Sequence, residues 1–186
     1  TTTPNNNLLV GGVISGNATL TKAGTGNLTL TNSNTYTGGT LVNAGILVLN
    51  HDNAAGGGSI TLQNTATRLQ LGDGVNVSNS LIIGNTGNQK VLTVAAATTG
   101  LYSGTILIQE VGVGYFDIDV GAGAMLSVTN AISRSGATVI AGIDKLGSGT
   151  LLLSGNNTYL GRTIIGSGTT GGGTLIAGHN NALSLS

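Results

Sequence analysis

Two stretches of the chain have nearly the same sequence: "GTGNLTLTNSNTYTGGT" from Gly24 to Thr40 and "GSGTLLLSGNNTYLGRT" from Gly147 to Thr163. Nine of the 17 aligned positions are identical, in the order Gly-x-Gly, Leu-x-Leu, Asn-Thr-Tyr and Gly-x-Thr. The alternating leucines predict a strand with one buried face, and the glycines and asparagines predict turns. An internal repeat of this kind favours stacked structural units over a single closed barrel.

The similarity continues on both sides of these stretches. Lys22 matches Lys145, and "GILVLNHDNA" from Gly45 matches "GTLIAGHNNA" from Gly173 if about five residues are inserted in the second copy. The repeat copies then cover about 10–56 and 128–186, and the divergent residues 57–127 between them keep the strand rhythm without the motif. We expect a single domain over 1–186, with residues 1–7 a candidate N-terminal cap or arm.

The composition excludes several classes of function. Only 6% of the 186 residues are charged, and the six basic and six acidic residues cancel, so no basic stripe is present to bind nucleic acid. The chain has no cysteine, which excludes a disulfide framework and thiolate metal sites. No apolar run approaches the length of a membrane-spanning helix, and we expect no membrane insertion by this chain.

Short strands separated by turn residues are predicted along the whole chain. Segments such as "NLTLT" from Asn27 and "FDIDV" from Phe116 alternate apolar and polar residues, and 33 glycines punctuate the sequence. In a parallel β-helix the apolar residues point into a narrow core, threonines face outward, and Gly or Asn forms the corners. We therefore predict an all-β, parallel β-solenoid with roughly 20–25 residues per rung and roughly eight rungs.

The twin segments resemble the passenger-associated, autotransporter-associated β-strand repeat of bacterial autotransporter proteins. The pattern places a lysine before Gly-x-Gly, Leu-x-Leu, Asn-Thr-Tyr and Gly-x-Thr, followed by a Gly-x-Leu strand. The matching positions are Lys22, Gly24, Gly26, Leu28, Leu30, Asn34, Thr35, Tyr36, Gly38, Thr40 and Gly45, and again Lys145, Gly147, Gly149, Leu151, Leu153, Asn157, Thr158, Tyr159, Gly161, Thr163 and Gly173. The first copy departs mildly, for example at Asn27 and Asn32.

The resemblance implies a right-handed parallel β-helix that is exported across the bacterial outer membrane and displayed on, or shed from, the cell surface. In that family the repeat is a structural and transport element. The resemblance therefore implies no catalytic residue, no cofactor and no metal site in the repeat itself.

Asp117 and Asp119 are the best candidates for chemistry. On a strand they share one face, about 6.6 Å apart along the strand, which is within the range that paired glycosidase carboxylates need. The competing interpretation is an exposed strand face, with Phe116, Ile118 and Val120 pointing into the core. A calcium site at the same two carboxylates is a third interpretation.

Three further pairs of residues occupy equivalent positions in the two copies. We expect His51 and His179 to be turn residues and not metal ligands. Lys22 and Lys145 are expected at the surface. Tyr36 and Tyr159 are expected to pack at rung corners, with their hydroxyl groups bonded to the backbone; sugar stacking is the alternative.

We therefore predict a non-catalytic, extracellular, structural β-solenoid of bacterial origin. It would form either the stalk of an adhesin-like cell-surface passenger or a fibre subunit that assembles end to end. Its partners would be other copies stacked head to tail, neighbouring passenger segments, or a host or matrix glycan or protein. The alternative is an enzyme that binds or cleaves polysaccharide with Asp117 and Asp119.

Overall fold

The computed structural model describes residues 6–84, 89–109, 115–136, 141–167 and 171–183. These residues form a parallel β-solenoid and contain no helix, as the sequence predicts. Accordingly, the described part of the chain holds no helix long and apolar enough to cross a membrane. The right-handed winding implied by the family resemblance stays a prediction. The candidate N-terminal cap lies mostly outside the described residues, since only 6 and 7 belong to them.

Nineteen strands in the described ranges form three parallel sheets, which we call sides A, B and C. Side A contains β1 (Leu8–Val10), β3 (Asn27–Leu30), β5 (Ile46–Leu49), β7 (Arg68–Leu71), β10 (Val91–Val94), β13 (Tyr115–Val120), β16 (Gly142–Leu146) and β18 (Thr163–Ile165). Side B contains β2 (Leu20–Lys22), β4 (Thr40–Val42), β6 (Ile60–Leu62), β9 (Leu81–Ile83), β12 (Ile106–Ile108) and β15 (Ile132–Arg134). Side C contains β8 (Val75–Val77), β11 (Thr99–Tyr102), β14 (Met125–Val128), β17 (Thr150–Leu153) and β19 (Thr174–Ala177).

The rung length varies along the chain. On side A, Leu28 pairs with Leu47, 19 residues on, whereas Ile118 pairs with Lys145, 27 residues on. The described residues make about six turns, where the sequence analysis expected roughly eight rungs. Side A nevertheless stacks eight strands, so one continuous ladder runs the length of the described solenoid.

The core lies between the three sides and is filled by alternate residues of every strand. On β13 the burial alternates, with Phe116, Ile118 and Val120 fully buried and the intervening residues half-buried. One column of inward positions on side A shows the stacking: it runs Leu8, Leu28, Leu47, Leu69, Leu92, Ile118, Lys145, Ile165. Each buried leucine or isoleucine contributes about 2 kcal/mol of hydrophobic stabilisation.

Side C begins without strands. In the first rungs its place is taken by irregular segments, which still bond from rung to rung: the Thr35 N–H donates to the Ile14 carbonyl, the Thr37 N–H to Gly16, and the Gly57 N–H to Tyr36. From β8 onward regular strands fill this side. The solenoid therefore changes from narrow rungs with two strands to wider rungs with three, until side B ends at β15.

The two copies of the repeat occupy different sides. In the first copy the lysine strand β2 is on side B and the Leu-x-Leu strand β3 is on side A. In the second copy the equivalent strands β16 and β17 are on sides A and C. The second copy is therefore displaced by one side around the solenoid axis, because the residues between the copies do not make a whole number of turns.

Glycine is required where a corner turns tightly against the rung below. Gly45 and its equivalent Gly173 have φ of +71° and +56°. A Cβ at Gly45 would lie 2.5 Å from the Gly26 carbonyl oxygen, and one at Gly173 would lie 2.3 Å from that of Gly149. Only glycine tolerates both the left-handed φ and this approach of two backbones.

Candidate functional site

The repeated asparagine joins three successive rungs. Asn34 Oδ1 accepts the Ile14 N–H at 2.7 Å, and Asn34 Nδ2 donates to the Ala54 carbonyl at 2.7 Å. Asn157 makes the same two bonds, to Ile132 at 2.7 Å and to Ala182 at 2.5 Å. Both asparagines are 5% exposed. Their amide groups therefore fix the rung register on the sides that carry no strand at these positions.

The repeated lysine is buried, so the expectation of a surface lysine at Lys22 and Lys145 is wrong. Lys22 is 6% exposed and Lys145 is fully buried. Lys22 Nζ donates to the carbonyls of Ala23, Gly24 and Ala44 at 3.2, 2.7 and 2.9 Å. Three ammonium hydrogens thus meet three carbonyl oxygens, two in the same corner and one from the next rung.

Lys145 repeats this arrangement in the second copy. Its Nζ donates to the carbonyls of Leu146, Gly147 and Gly172 at 2.6, 2.8 and 3.0 Å. Burial lowers the pKa of both lysines, and the negative charge of Asp119 partly opposes this for the pKa of Lys145. Lysine, not glycine alone, therefore closes the corner of each repeat.

The repeated tyrosine packs at a corner, as expected, but its hydroxyl partner differs from the expectation. The hydroxyl of Tyr36 lies 2.5 Å from Thr40 Oγ1, and that of Tyr159 lies 2.6 Å from Thr163 Oγ1. The partner is thus the threonine of Gly-x-Thr and not the backbone. Both rings are buried, at 1% and 0% exposed, so neither offers a face on which a sugar could stack.

The two histidines are turn residues, as predicted. His51 Nδ1 accepts the Asn53 N–H, and His179 Nδ1 accepts the Asn181 N–H, each at 3.1 Å. Within the described ranges no three His, Cys, Asp or Glu side chains are grouped so that they could hold a metal ion.

Asp117 and Asp119 lie on the outward face of β13, half-buried, with their apolar neighbours in the core. Asp119 Oδ2 is 3.7 Å from Arg68 Nη1, in a partly exposed ion pair that contributes little to stability. Asp117 stands opposite Asp144 of the neighbouring strand β16. The strand alternation predicted from the sequence therefore places the two carboxylates on one face, where they belong to a row of charges across side A.

Asp144 is a buried acidic residue whose structural role the sequence analysis did not predict. It is 4% exposed, and its carboxylate accepts hydrogen bonds from the Ser167 hydroxyl and N–H. Ser167 begins the stretch inserted in the second copy, and Lys145 holds the end of that stretch at Gly172. The first copy has the exposed Thr21 in place of Asp144 and lacks the insertion. Asp144 thus anchors the feature that distinguishes the two copies.

Loss of the two inter-rung hydrogen bonds of Asn34, which we call the asparagine clamp, should destabilise the fold measurably. Asn34→Ala removes two buried inter-rung bonds and leaves an N–H and a carbonyl unpaired, so we expect the free energy of unfolding to fall by about 2 kcal/mol or more. Asn34→Asp should also destabilise, because a carboxylate cannot donate to Ala54. Urea unfolding followed by circular dichroism measures both.

The matched control is Asn27→Thr, which installs the residue found at the equivalent position of the second copy, Thr150. It should change the free energy of unfolding by less than about 0.5 kcal/mol. Equal stability of Asn34→Ala and Asn27→Thr would contradict the clamp.

Burial of Asp144 should make stability depend on pH. Burial raises the pKa of Asp144 in the native chain, while the Ser167 hydrogen bond partly opposes the rise. Between the usual and the raised pKa, the native chain holds a proton that the unfolded chain has lost, so the free energy of unfolding should fall as pH rises through this window. Asp144→Asn should remove that part of the pH dependence. Urea midpoints of both chains between about pH 3 and pH 8 test this, and parallel curves would refute it.

Comparison with known proteins identifies the repeat. Residues 20–49 and 143–169 match the passenger-associated-transport-repeat family. The chain is 34% identical over 163 residues, or 87% of its length, to the adhesin BmaC autotransporter of Brucella suis biovar 1 (strain 1330). The chain spans about 4% of the length of that curated relative. No solved structure matches this chain.

The matched segments contain both lysines and both asparagines that join rungs, and both corner tyrosines. The repeat thus includes the polar side chains that hold successive rungs together. The chain is an autotransporter passenger-associated repeat protein with a β-solenoid fold.

Proposed function

We propose that the chain is a non-catalytic rod segment of an extracellular, adhesin-like passenger displayed on a bacterial cell surface. The observation that carries the proposal is that the residues repeated in both copies join rungs: Asn34 and Asn157 each bridge three rungs, and Lys22 and Lys145 each bridge two. A side chain that satisfies buried backbone groups supports shape and is not available to a substrate.

The continuous stacking of parallel strands along the solenoid also supports a role as a rod. Strand pairs stack along the whole described solenoid, so bending it would break ladder bonds on at least one side. The adhesin autotransporter relative supports placement of such a rod at the cell surface.

Surface display can be tested directly on cells. Antibodies raised against the purified 186-residue chain should label intact cells of the source bacterium, or its culture medium, as seen by immunogold microscopy. Labelling that requires permeabilised cells would overturn the proposal. The matched control is an antibody to a cytoplasmic protein of the same cells, which should label only after permeabilisation.

A double variant distinguishes the structural role from the alternative of a polysaccharide-cleaving enzyme. The double variant Asp117→Asn, Asp119→Asn should lower stability only slightly and leave any glycan turnover by the chain unchanged. Release of reducing sugar by the wild-type chain that the variant loses would favour the enzyme instead. The ion pair of Asp119 with Arg68 supports the structural role.

A second candidate is end-to-end association, favoured by apolar residues at both ends of side A. Leu8 of β1 is 59% exposed and Ile165 of β18 is 52% exposed, and both belong to the same inward column. Leu8 also borders a cavity of about 440 Å³ lined largely by apolar side chains of the first rungs. The occupant we propose is the β18 end of a second copy.

The winding of the chain supports this contact. Asn157 bonds to residues 181 and 182 and also to Ile132 of β15, which places those two residues on side B. The next side in winding order is side A, where β1 would pair with β18 of the preceding copy. In this contact the first and last strands of side A thus face each other on the same side of the solenoid, and both present exposed apolar residues. Open strand edges of this kind associate readily.

Two neighbouring lysine substitutions test the contact. Leu8→Lys places a charge in the inward column and should abolish concentration-dependent association in sedimentation velocity. Leu9→Lys, one residue on and outward-facing opposite Thr29, is the control and should associate like wild type. A wild-type chain that stays monomeric at every concentration would overturn the contact.

A further inference from the structure

A polar groove opens where the narrow rungs give way to the wide ones. It lies at the corner between sides C and B, and its volume is about 370 Å³. It is lined by Asn53, the turn Gly56–Ser59 of one rung and the turn Ser78–Ser80 of the next. The first turn belongs to the last rung without a strand on side C, and the second belongs to the first rung that has one.

The lining is neutral and rich in hydrogen-bonding groups. Ser59 and Ser78 carry hydroxyls, which both donate and accept, and Asn53 carries a carboxamide. The Ser80 hydroxyl also lines the groove and shares a hydrogen bond with Thr105 Oγ1 at 3.0 Å. No lining residue is charged or aromatic. Asn79 holds the groove in shape, because its Nδ2 donates to the carbonyls of Gly56 and Gly58 at 2.9 and 2.6 Å.

The three glycines of this turn differ in how tightly the neighbouring rung constrains them. Gly56 is required by its φ of +64° and by the Tyr36 carbonyl oxygen, which a Cβ would approach to 2.4 Å. Gly58 is required because a Cβ would lie 2.4 Å from the Gly39 nitrogen. Gly57 has neither constraint: the one atom that its Cβ would meet within 4 Å is the Tyr36 carbonyl oxygen, at 3.9 Å.

The backbone therefore requires two of the three glycines, whereas Gly57 can accept a side chain and serves as the position at which the groove can be tested. A side chain at Gly57 would fill part of the space between the turns without disturbing the backbone. We propose that this groove binds a neutral, hydroxyl-rich ligand, a sugar unit of an extracellular polysaccharide.

The ligand class follows from the lining. Hydroxyls and a carboxamide can match both donors and acceptors of a sugar, whereas a charged ligand would find no opposite charge. Binding should be weak, with a dissociation constant on the order of 1 mM, because no aromatic ring supplies apolar contact in this open groove. The inference rests on the proposed surface location for its biological ligand, but the binding itself can be measured without it.

The test is an NMR titration of the ¹⁵N-labelled 186-residue chain with maltose, lactose and chitobiose. We expect at least one of these sugars to shift the amide signals of Gly56–Gly58 and Ser78–Ser80. Gly57→Val should weaken that binding about tenfold or more, because its side chain occupies the groove. Glucuronic acid should bind no more tightly than the neutral sugars.

The matched control is Gly12→Val, at another glycine without a positive φ, whose Cβ would meet no atom within 4 Å. It should bind sugar like wild type. The proposal is overturned if none of the three sugars shifts these signals, if the shifts centre on Asp117 and Asp119, or if Gly57→Val binds like Gly12→Val. None of these results would alter the immunogold labelling that tests surface display.

Discussion

The structure depends on the requirement that every backbone group in a stacked rung meets a partner in the next one. Strands on a side satisfy this with ladder bonds, at a spacing of about 4.8 Å. Corners and irregular segments have no ladder, and unpaired buried carbonyl and N–H groups are costly. The repeat supplies the missing partners: asparagine serves the irregular side, and lysine and glycine serve the corner.

A buried ammonium in so narrow a core has a desolvation cost, which is the reason for the lowered pKa of Lys22 and Lys145. Three carbonyl acceptors offset this cost at each lysine. A leucine of similar volume would leave those carbonyls unpaired, whereas the lysine orients all three. We infer that the clamps contribute more to register and corner shape than to net stability, as buried polar groups do in other folds.

The fold could be predicted because its signals are local. The alternation of Phe116, Ile118 and Val120 sets the buried face of β13 directly, and the twin segments indicate stacking. The burial of Lys22 could not be predicted in the same way, because one of its acceptors, the Ala44 carbonyl, lies 22 residues away on another rung. A lysine in a polar sequence is ordinarily a surface residue. The signal that could have revealed it is that both lysines precede a Gly-x-Gly corner.

The same limit applies to the residues outside the repeat. Asp144 acquires its role from Ser167, 23 residues on, and the corner groove lies between turns of two successive rungs. Positions that depend on the offset between rungs are visible only when the rungs are stacked. By contrast, the turn roles of His51 and His179 depend on residues two positions away and followed from the sequence.

The displacement of the second repeat copy by one side has a consequence for how the rod meets its surroundings. Equivalent surface residues of the two copies face different directions, so no single side of the solenoid presents the same residues of both copies. A flat partner surface that recognised the repeat could contact one copy at a time, and two such partners would approach from different directions. The solenoid therefore presents the two copies of the repeat in different directions around its axis.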